Sequence, residues 1–251
     1  MDCVWAWGNQ TVTAKTFGNQ MNCFHKPTLI IGNKNYSTWS LRAWLMLHAF
    51  GVAFDEMPIK LFHPSNQEIV TTYTPLGQVP VLLHEDKTIW DSVGIALYAE
   101  KYLITQNIWG NQPHLAMSLL GEMHSGFSAL RNEMPMNIRA RRKIAPSPPC
   151  LSDLARFEAI VTEGFKQNGS EGYLLGEFSV ADVFFAPIIF RLITYAKASD
   201  IELQSMTLIY IQKMLAHPSM QTWQQQALTE TDIVIEDEAG IEVVWGYSAL
   251  I

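Results

Sequence analysis

An α/β domain followed by an all-α domain is the architecture this sequence predicts, and two observations carry it. Between Pro27 and Leu103, short β-rich runs alternate with helical periodicity, whereas from Pro113 to Leu228 the apolar residues recur at helical spacing alone. Ile104 to Pro113 is polar, carries Gly110 as well as Pro113, and separates the two patterns as a linker. With 251 residues, 48% of them hydrophobic and 11% aromatic, both halves have material for a core.

Composition then removes several classes of function. A net charge of -7 argues against nucleic acid as the main partner, because phosphate binding needs clustered cations. No apolar run approaches the roughly 20 residues of a membrane span, so a soluble protein without a membrane partner is expected. Cys3, Cys23 and Cys150 never form a Cys-x-x-Cys pair, which fits a reducing, cytoplasmic compartment. The seven histidines show no metal-ligand spacing, so no metal is expected. Residues 1–26 lack both a period and a signal-peptide pattern and read as a poorly ordered leader.

The elements of the first half follow from local chemistry. Thr28 to Ile31 is a strand, and the polar turn Gly32 to Ser37 leads into a helix with Leu41, Trp44, Leu45 and His48 on one stripe, ended by Gly51 in a left-handed conformation. Ser37, Thr38 and Ser40 offer hydroxyls at that helix start, where backbone N–H groups favour an anion. Ala53 to Lys60 alternates as a second strand, placed at an edge by Pro58. Ser65 to Glu68 has the form of a capping box opening a short helix. Gln78 to Leu83 is a third strand with Pro80 near its start, a position that invites a cis bond and turns the Val79 backbone outward, where it can pair with a peptide-like ligand. Lys87 to Trp90 is its hairpin partner. Asp91-Ser92 opens the helix Val93 to Leu103, with Ser92 as cap and anion holder.

This order, strand, helix, strand, helix, strand, strand, helix, is that of a thioredoxin-like domain. Val79-Pro80 followed by Asp91-Ser92, with a hydroxyl-rich turn at Ser37, resembles the N-terminal domain of the glutathione S-transferase superfamily. Tyr36-Ser37-Thr38-Trp39-Ser40-Leu41-Arg42 is similar to the serine motif of its zeta and theta classes. Anchoring Ser40-Leu41-Arg42 on that motif makes Ser37 the catalytic serine and puts Trp39 where zeta members carry a cysteine. The resemblance implies glutathione as co-substrate, held by Gln78, Val79, Pro80, Asp91 and Ser92, a small electrophile as second substrate, and a homodimer engaged in detoxification.

In the second half the stripes are Leu115, Leu119, Met123; Leu154, Phe157, Val161, Phe165; and Met206, Ile209, Tyr210, Lys213, Met214. Ser179 and Asp182 stand three apart at the head of a buried helix as a structural capping box, whose loss should cost about 1 kcal/mol or more. The same segment resembles the superfamily's capping box, so the likeness spans Pro27 to Leu228. The tail, Thr229 to Ile251, is acidic around Glu236 to Glu238 and reads as strand-like or irregular, with no role assigned.

Two readings stand for the cationic run Arg131 to Lys143. One is a set of cations favoured at a helix end, and the other has Arg131 or Arg139 gripping an anionic second substrate. Trp39 joins them as a second-substrate candidate. Lys60 and His63 read as solvated surface positions. The function expected is a glutathione transferase in which a serine hydroxyl stabilises the thiolate. The alternatives are a zeta- or theta-like glutathione-dependent isomerase or dehalogenase, and a glutathione-binding scaffold without turnover.

Overall fold

The structure, a computed structural model, describes residues 5–7, 10–12, 24–61, 70–74 and 76–243. Within the expected leader, β1 (Trp5–Trp7) and β2 (Gln10–Val12) pair antiparallel as a separate hairpin. Residues 24–26 of the expected leader belong to the strand Phe24–Ile31, and its remaining residues lie outside the described ones, as do His63 and the capping box at Ser65 to Glu68.

Four strands form the N-terminal sheet: β3 (Phe24–Ile31), β4 (Asp55–Pro58), β5 (Val81–Glu85) and β6 (Lys87–Ile89). Their order is β4-β3-β5-β6, with β4 parallel to β3 and the hairpin antiparallel. The predicted edge strand is therefore at the edge, where Pro58 costs the ladder least. The strand β3 starts at Phe24, ahead of the Pro27 boundary that composition suggested.

Alternation fixes the faces of this sheet. Leu29 and Ile31 point to the same side and join the large core, while Ile30 points the other way and packs with Val70, Val81 and Leu83. Each such buried side chain is worth about 1.5–3 kcal/mol of apolar transfer.

The helix α1 (Thr38–Ala49) follows β3, and its residues Ser40 to Leu47 are all buried. A single apolar stripe was too narrow a reading, because the sheet covers one side of α1 and the helical domain the other. His48, which the stripe included, is exposed and meets Ser219 Oγ through Nδ1 at 2.8 Å. Gly51 ends the turn with φ +73°, as expected of a residue in the left-handed region. The helix α2 (Ser92–Tyr102) completes the first domain.

The second domain comprises α3 (Pro113–Ser125), α4 (Ser128–Glu133), α5 (Pro148–Asn168), α6 (Val180–Tyr195), α7 (Ser205–Ala216) and α8 (Pro218–Thr229). The central helix is α6, buried from end to end apart from Ile193. On α7 the inward face is Thr207, Tyr210, Ile211 and Met214, whereas Met206 and Ile209 are exposed, so the expected stripe is corrected by part of a turn. The second half is mostly helical, as expected, with one short addition: β7 (Arg142–Lys143) pairs with β8 (Ile241–Glu242) in the tail. Two-residue strands are too short to show alternation in a sequence.

The capping box is present at the head of α6. Asp182 Oδ2 accepts from the Ser179 N–H at 2.9 Å and from its hydroxyl at 2.9 Å. Oδ1 accepts from the Leu174 N–H at 3.2 Å and from Tyr210 Oη at 2.9 Å. Burial pushes the Asp182 carboxyl up to about 6 against these bonds.

Candidate functional site

A groove of about 720 Å³ runs between the two domains. Ser37, Thr38 and Trp39 line it from the start of α1, and Gln78, Val79 and Pro80 from the loop before β5. The opposite wall brings Arg131, Met136 and Arg191 from the helical domain, with Asp237 from the tail.

The α1 start is positioned by a chain of contacts that begins at β3. Gly32 lies so close to Leu61 that a Cβ would sit 2.5 Å from its Cδ2, so a side chain there pushes aside the Leu61 side chain, which lines the groove. The Gly32 N–H donates to Ser40 Oγ at 3.0 Å. Ser37 caps α1, accepting from the Ser40 N–H at 3.3 Å, and its hydroxyl lies 2.7 Å from Ser40 Oγ. Ser40 is fully buried and is not part of the groove lining, so it fixes Ser37 from behind. Among the three hydroxyls read from the sequence, Ser37 and Thr38 remain at the groove. Tyr36 also lines it, yet its hydroxyl donates to Glu238 Oε1 at 2.6 Å. Burial pushes that phenol above its ordinary value, with the neighbouring Glu238 acting in the same direction.

The Val79-Pro80 peptide is cis, as the position of Pro80 suggested. Asp91, rather than Ser92, caps α2: one carboxylate oxygen accepts from the N–H groups of Val93 at 2.8 Å and Gly94 at 3.3 Å. This corrects Ser92 as the cap. Ser92 is the first helical residue, fully buried and outside the groove lining, and its hydroxyl has no hydrogen-bond partner among the described residues. Asp91 does line the groove and lies 3.5 Å from His124 Nε2.

The two arginines singled out in the sequence part company. Arg139 is absent from the groove lining: its guanidinium donates to the carbonyls of Glu230 and Asp232 and, at 3.2 Å, to Tyr36 Oη. It fastens the tail, which corrects its candidacy as a second-substrate residue. Arg131 faces the groove beside Trp39, whose ring centroid lies 5.0 Å from its guanidinium carbon. Arg42 stacks on the same ring at 4.8 Å.

Sequence reasoning missed Arg191, which reaches the groove from the apolar interior of α6, and it gave the tail no part. The tail crosses the loop that precedes α1. Glu230 accepts from the N–H groups of Lys34 at 2.7 Å and Asn35 at 3.0 Å, and Asp232 accepts from Asn33 Nδ2 at 3.3 Å. Glu238 then binds Tyr36, Asn137 Nδ2 at 2.9 Å and Arg142. Lys34 itself is nearly buried, bonded to Glu56 and flanked at 5.2 Å by each of Trp44 and Trp223. The sequence signal for this strap was the run of carboxylates after Thr229, facing a polar loop that needs acceptors.

Comparison with known proteins agrees with this architecture. Residues 36–101 match the family model of the glutathione S-transferase N-terminal domain. A probable glutathione S-transferase of Caenorhabditis elegans is 24% identical over 198 residues, covering 72% of this chain and 88% of its own. Among solved structures, a glutathione transferase homolog from Burkholderia with bound glutathione superposes with a TM-score of 0.60 at 20% identity, covering 80% of this chain and 98% of that one. A glutathione S-transferase of the Antarctic clam Laternula elliptica gives 0.62 at 20% identity, covering 82% and 95%. Residues 36–101 therefore match a glutathione S-transferase N-terminal domain, and the chain shares the fold of these solved glutathione transferases across both halves.

Proposed function

We propose that the protein is a glutathione transferase in which Ser37 stabilises the glutathione thiolate for attack on a small electrophile. The observation that carries the reading is the Ser37–Ser40 pair at the head of α1, with only Ser37 on the groove side. Glutathione lies along Gln78, Val79 and Pro80, its cysteinyl backbone pairing with Val79 as an added strand does. Its γ-glutamyl end is held at the start of α2, where Asp91 lines the groove and the Ser92 hydroxyl behind it lacks a partner among the described residues.

The hydroxyls act in series. Ser40 is fixed by the Gly32 N–H, and a hydroxyl proton is free to rotate, so Ser40 can donate to Ser37 while Ser37 donates to sulfur. A donor polarised in this way, at a helix start, favours the thiolate over the thiol and lowers the bound thiol's pKa. The proton leaves to solvent. With a chloronitroaromatic acceptor, the sulfur forms a bond to the ring carbon and chloride departs, so that no oxidant is needed. The homodimer and the detoxifying role belong to this same reading.

The test is conjugation of glutathione to such an acceptor by the purified protein, alongside its binding to immobilised glutathione. Turnover with retention supports the transferase. Retention without conjugation, isomerisation or dehalogenation replaces it with a scaffold, and no retention removes both.

A further inference from the structure

We propose that the helical wall of the groove is a carboxylate site, in which Arg131 and Arg191 receive an acidic second substrate through their Nε–Nη2 edges. The inference rests on the transferase reading for its chemistry but on separate residues for its geometry.

Both guanidiniums are anchored by one nitrogen. Arg191 Nη1 donates to the carbonyls of Arg131, at 2.8 Å, and Met134. Arg131 Nη1 donates to the carbonyls of His124 at 3.2 Å and Gly126 at 3.2 Å. Among the described residues, these are all the protein hydrogen bonds of the two groups, and Arg191 Nε is buried without a partner. What is left on each is the edge Nε–H and Nη2–H, whose two parallel donors match the oxygens of a carboxylate. Arg191 is 5% exposed, and both residues line the groove.

The local charge balance points the same way. Arg42, whose Nη1 has no partner among the described residues, is close enough to repel both Arg131 and Arg191. Two carboxylates face this cluster, Asp91 towards Arg42 and Asp237 towards Arg191, and neither comes within 4 Å of an arginine of the cluster. Burial and mutual repulsion lower the guanidinium pKa values, to about 10 for Arg191 and about 9 for Arg42. Buried cations of one sign without an ion pair are costly, and a bound anion relieves that cost. Trp39, stacked under Arg42 and Arg131, offers an aromatic face beside the site. An aromatic or unsaturated electrophile bearing a carboxylate fits this combination.

The experiment compares 4-chloro-3-nitrobenzoate with 4-chloro-3-nitrobenzamide, which keep the same leaving group and differ in charge. Binding of each to the protein is measured by calorimetry, and conjugation with glutathione is followed by chloride release. The benzoate is expected to bind and react at least about tenfold better, the equivalent of about 1.4 kcal/mol. Arg131→Gln should bring that ratio close to one. Arg131→Lys should recover only part of it, since an ammonium lacks the two-donor edge. Arg191→Gln is a second probe, read by binding only after circular dichroism has shown it folded. Equal binding of benzoate and amide by the wild type overturns the inference, as does a ratio that survives Arg131→Gln. It is also overturned if Arg131→Gln weakens glutathione binding tenfold instead, because the arginines then hold the tripeptide. Selective benzoate binding with no conjugation of either compound upholds the carboxylate site while removing the transferase reading.

Discussion

Replacing Ser37 with alanine tests the thiolate assignment most directly, and two effects of different size are expected. The cap bond from the Ser40 N–H is long, at 3.3 Å, so its loss should cost stability at the lower end of capping energies, about 0.5–1 kcal/mol. A hydrogen bond to a charged group is worth more, about 1.5–3 kcal/mol. That energy corresponds to a rise of about 1–2 units in the pKa of the bound glutathione thiol, and to a fall in kcat/KM of about ten- to a hundredfold at neutral pH. The bound thiol is titrated by the ultraviolet absorbance of the thiolate, and conjugation is measured against a chloronitroaromatic across pH. The sign follows from the donor's role: without it the thiolate is disfavoured, so the deficit is full below the wild-type thiol pKa and shrinks above the variant's. Ser40→Ala is the control, because it leaves the Gly32 N–H without its acceptor and loosens Ser37 from behind. It should lower thermal stability more than Ser37→Ala does and give a smaller thiol shift. If Ser37→Ala leaves the thiol titrating where it did and Thr38→Ala moves it, the donor is Thr38 and the reasoning fails.

Other expectations concern the frame of the site. Asp182→Ala strips acceptors from the N–H groups of Leu174 and Ser179 and from Tyr210, and should cost about 2–4 kcal/mol, read from urea unfolding. The folded Asp182 carboxyl sits at about 6 against an ordinary 3.8, so the native state binds more protons between these values. Its contribution to stability should therefore decline as pH rises through that window, by at most about 3 kcal/mol, and Asp182→Asn should flatten the slope. Glu230→Gln should raise the KM for glutathione more than it lowers kcat, because it loosens the Lys34 and Asn35 main chain on which the Ser37 turn is built. An unchanged KM would show the strap to be dispensable. Arg139→Ala should lower Tm by releasing the same strap while keeping the preference between charged and neutral acceptors, and loss of that preference would restore Arg139 to the substrate wall.

The half of the site that local chemistry builds was legible in the sequence. Ser37 before an apolar helix, Pro80 at the mouth of a strand and Asp91-Ser92 before another helix each announce their conformation within a few residues. The capping box at Ser179 and Asp182 was readable for the same reason. Which residue of a pair does the work was harder to read: Asp91 and Ser92 both suit a cap, and only the backbone angles select Asp91. The opposite wall depends on packing between distant segments. Arg191 sits within an apolar helix whose pattern gives no sign of a groove, and Arg139 looks as available as Arg131 until the tail is seen lying across it. The breadth of burial on α1 was hidden likewise, because a stripe reports one neighbour and α1 has two layers around it.

The strap formed by residues 230–238 has a consequence for biosynthesis. Loop 33–36 is written near the beginning of the chain, yet its amide groups are satisfied by carboxylates that arrive almost 200 residues later, as the Lys34–Glu230 separation of 196 shows. On a ribosome the turn carrying Ser37 must wait until residues 230–238 have emerged to acquire its last partners. Chains cut short after α8 would keep most of the hydrophobic interior and lack the fastening beside Ser37, so a truncated product could pass for folded while its groove wall is loose.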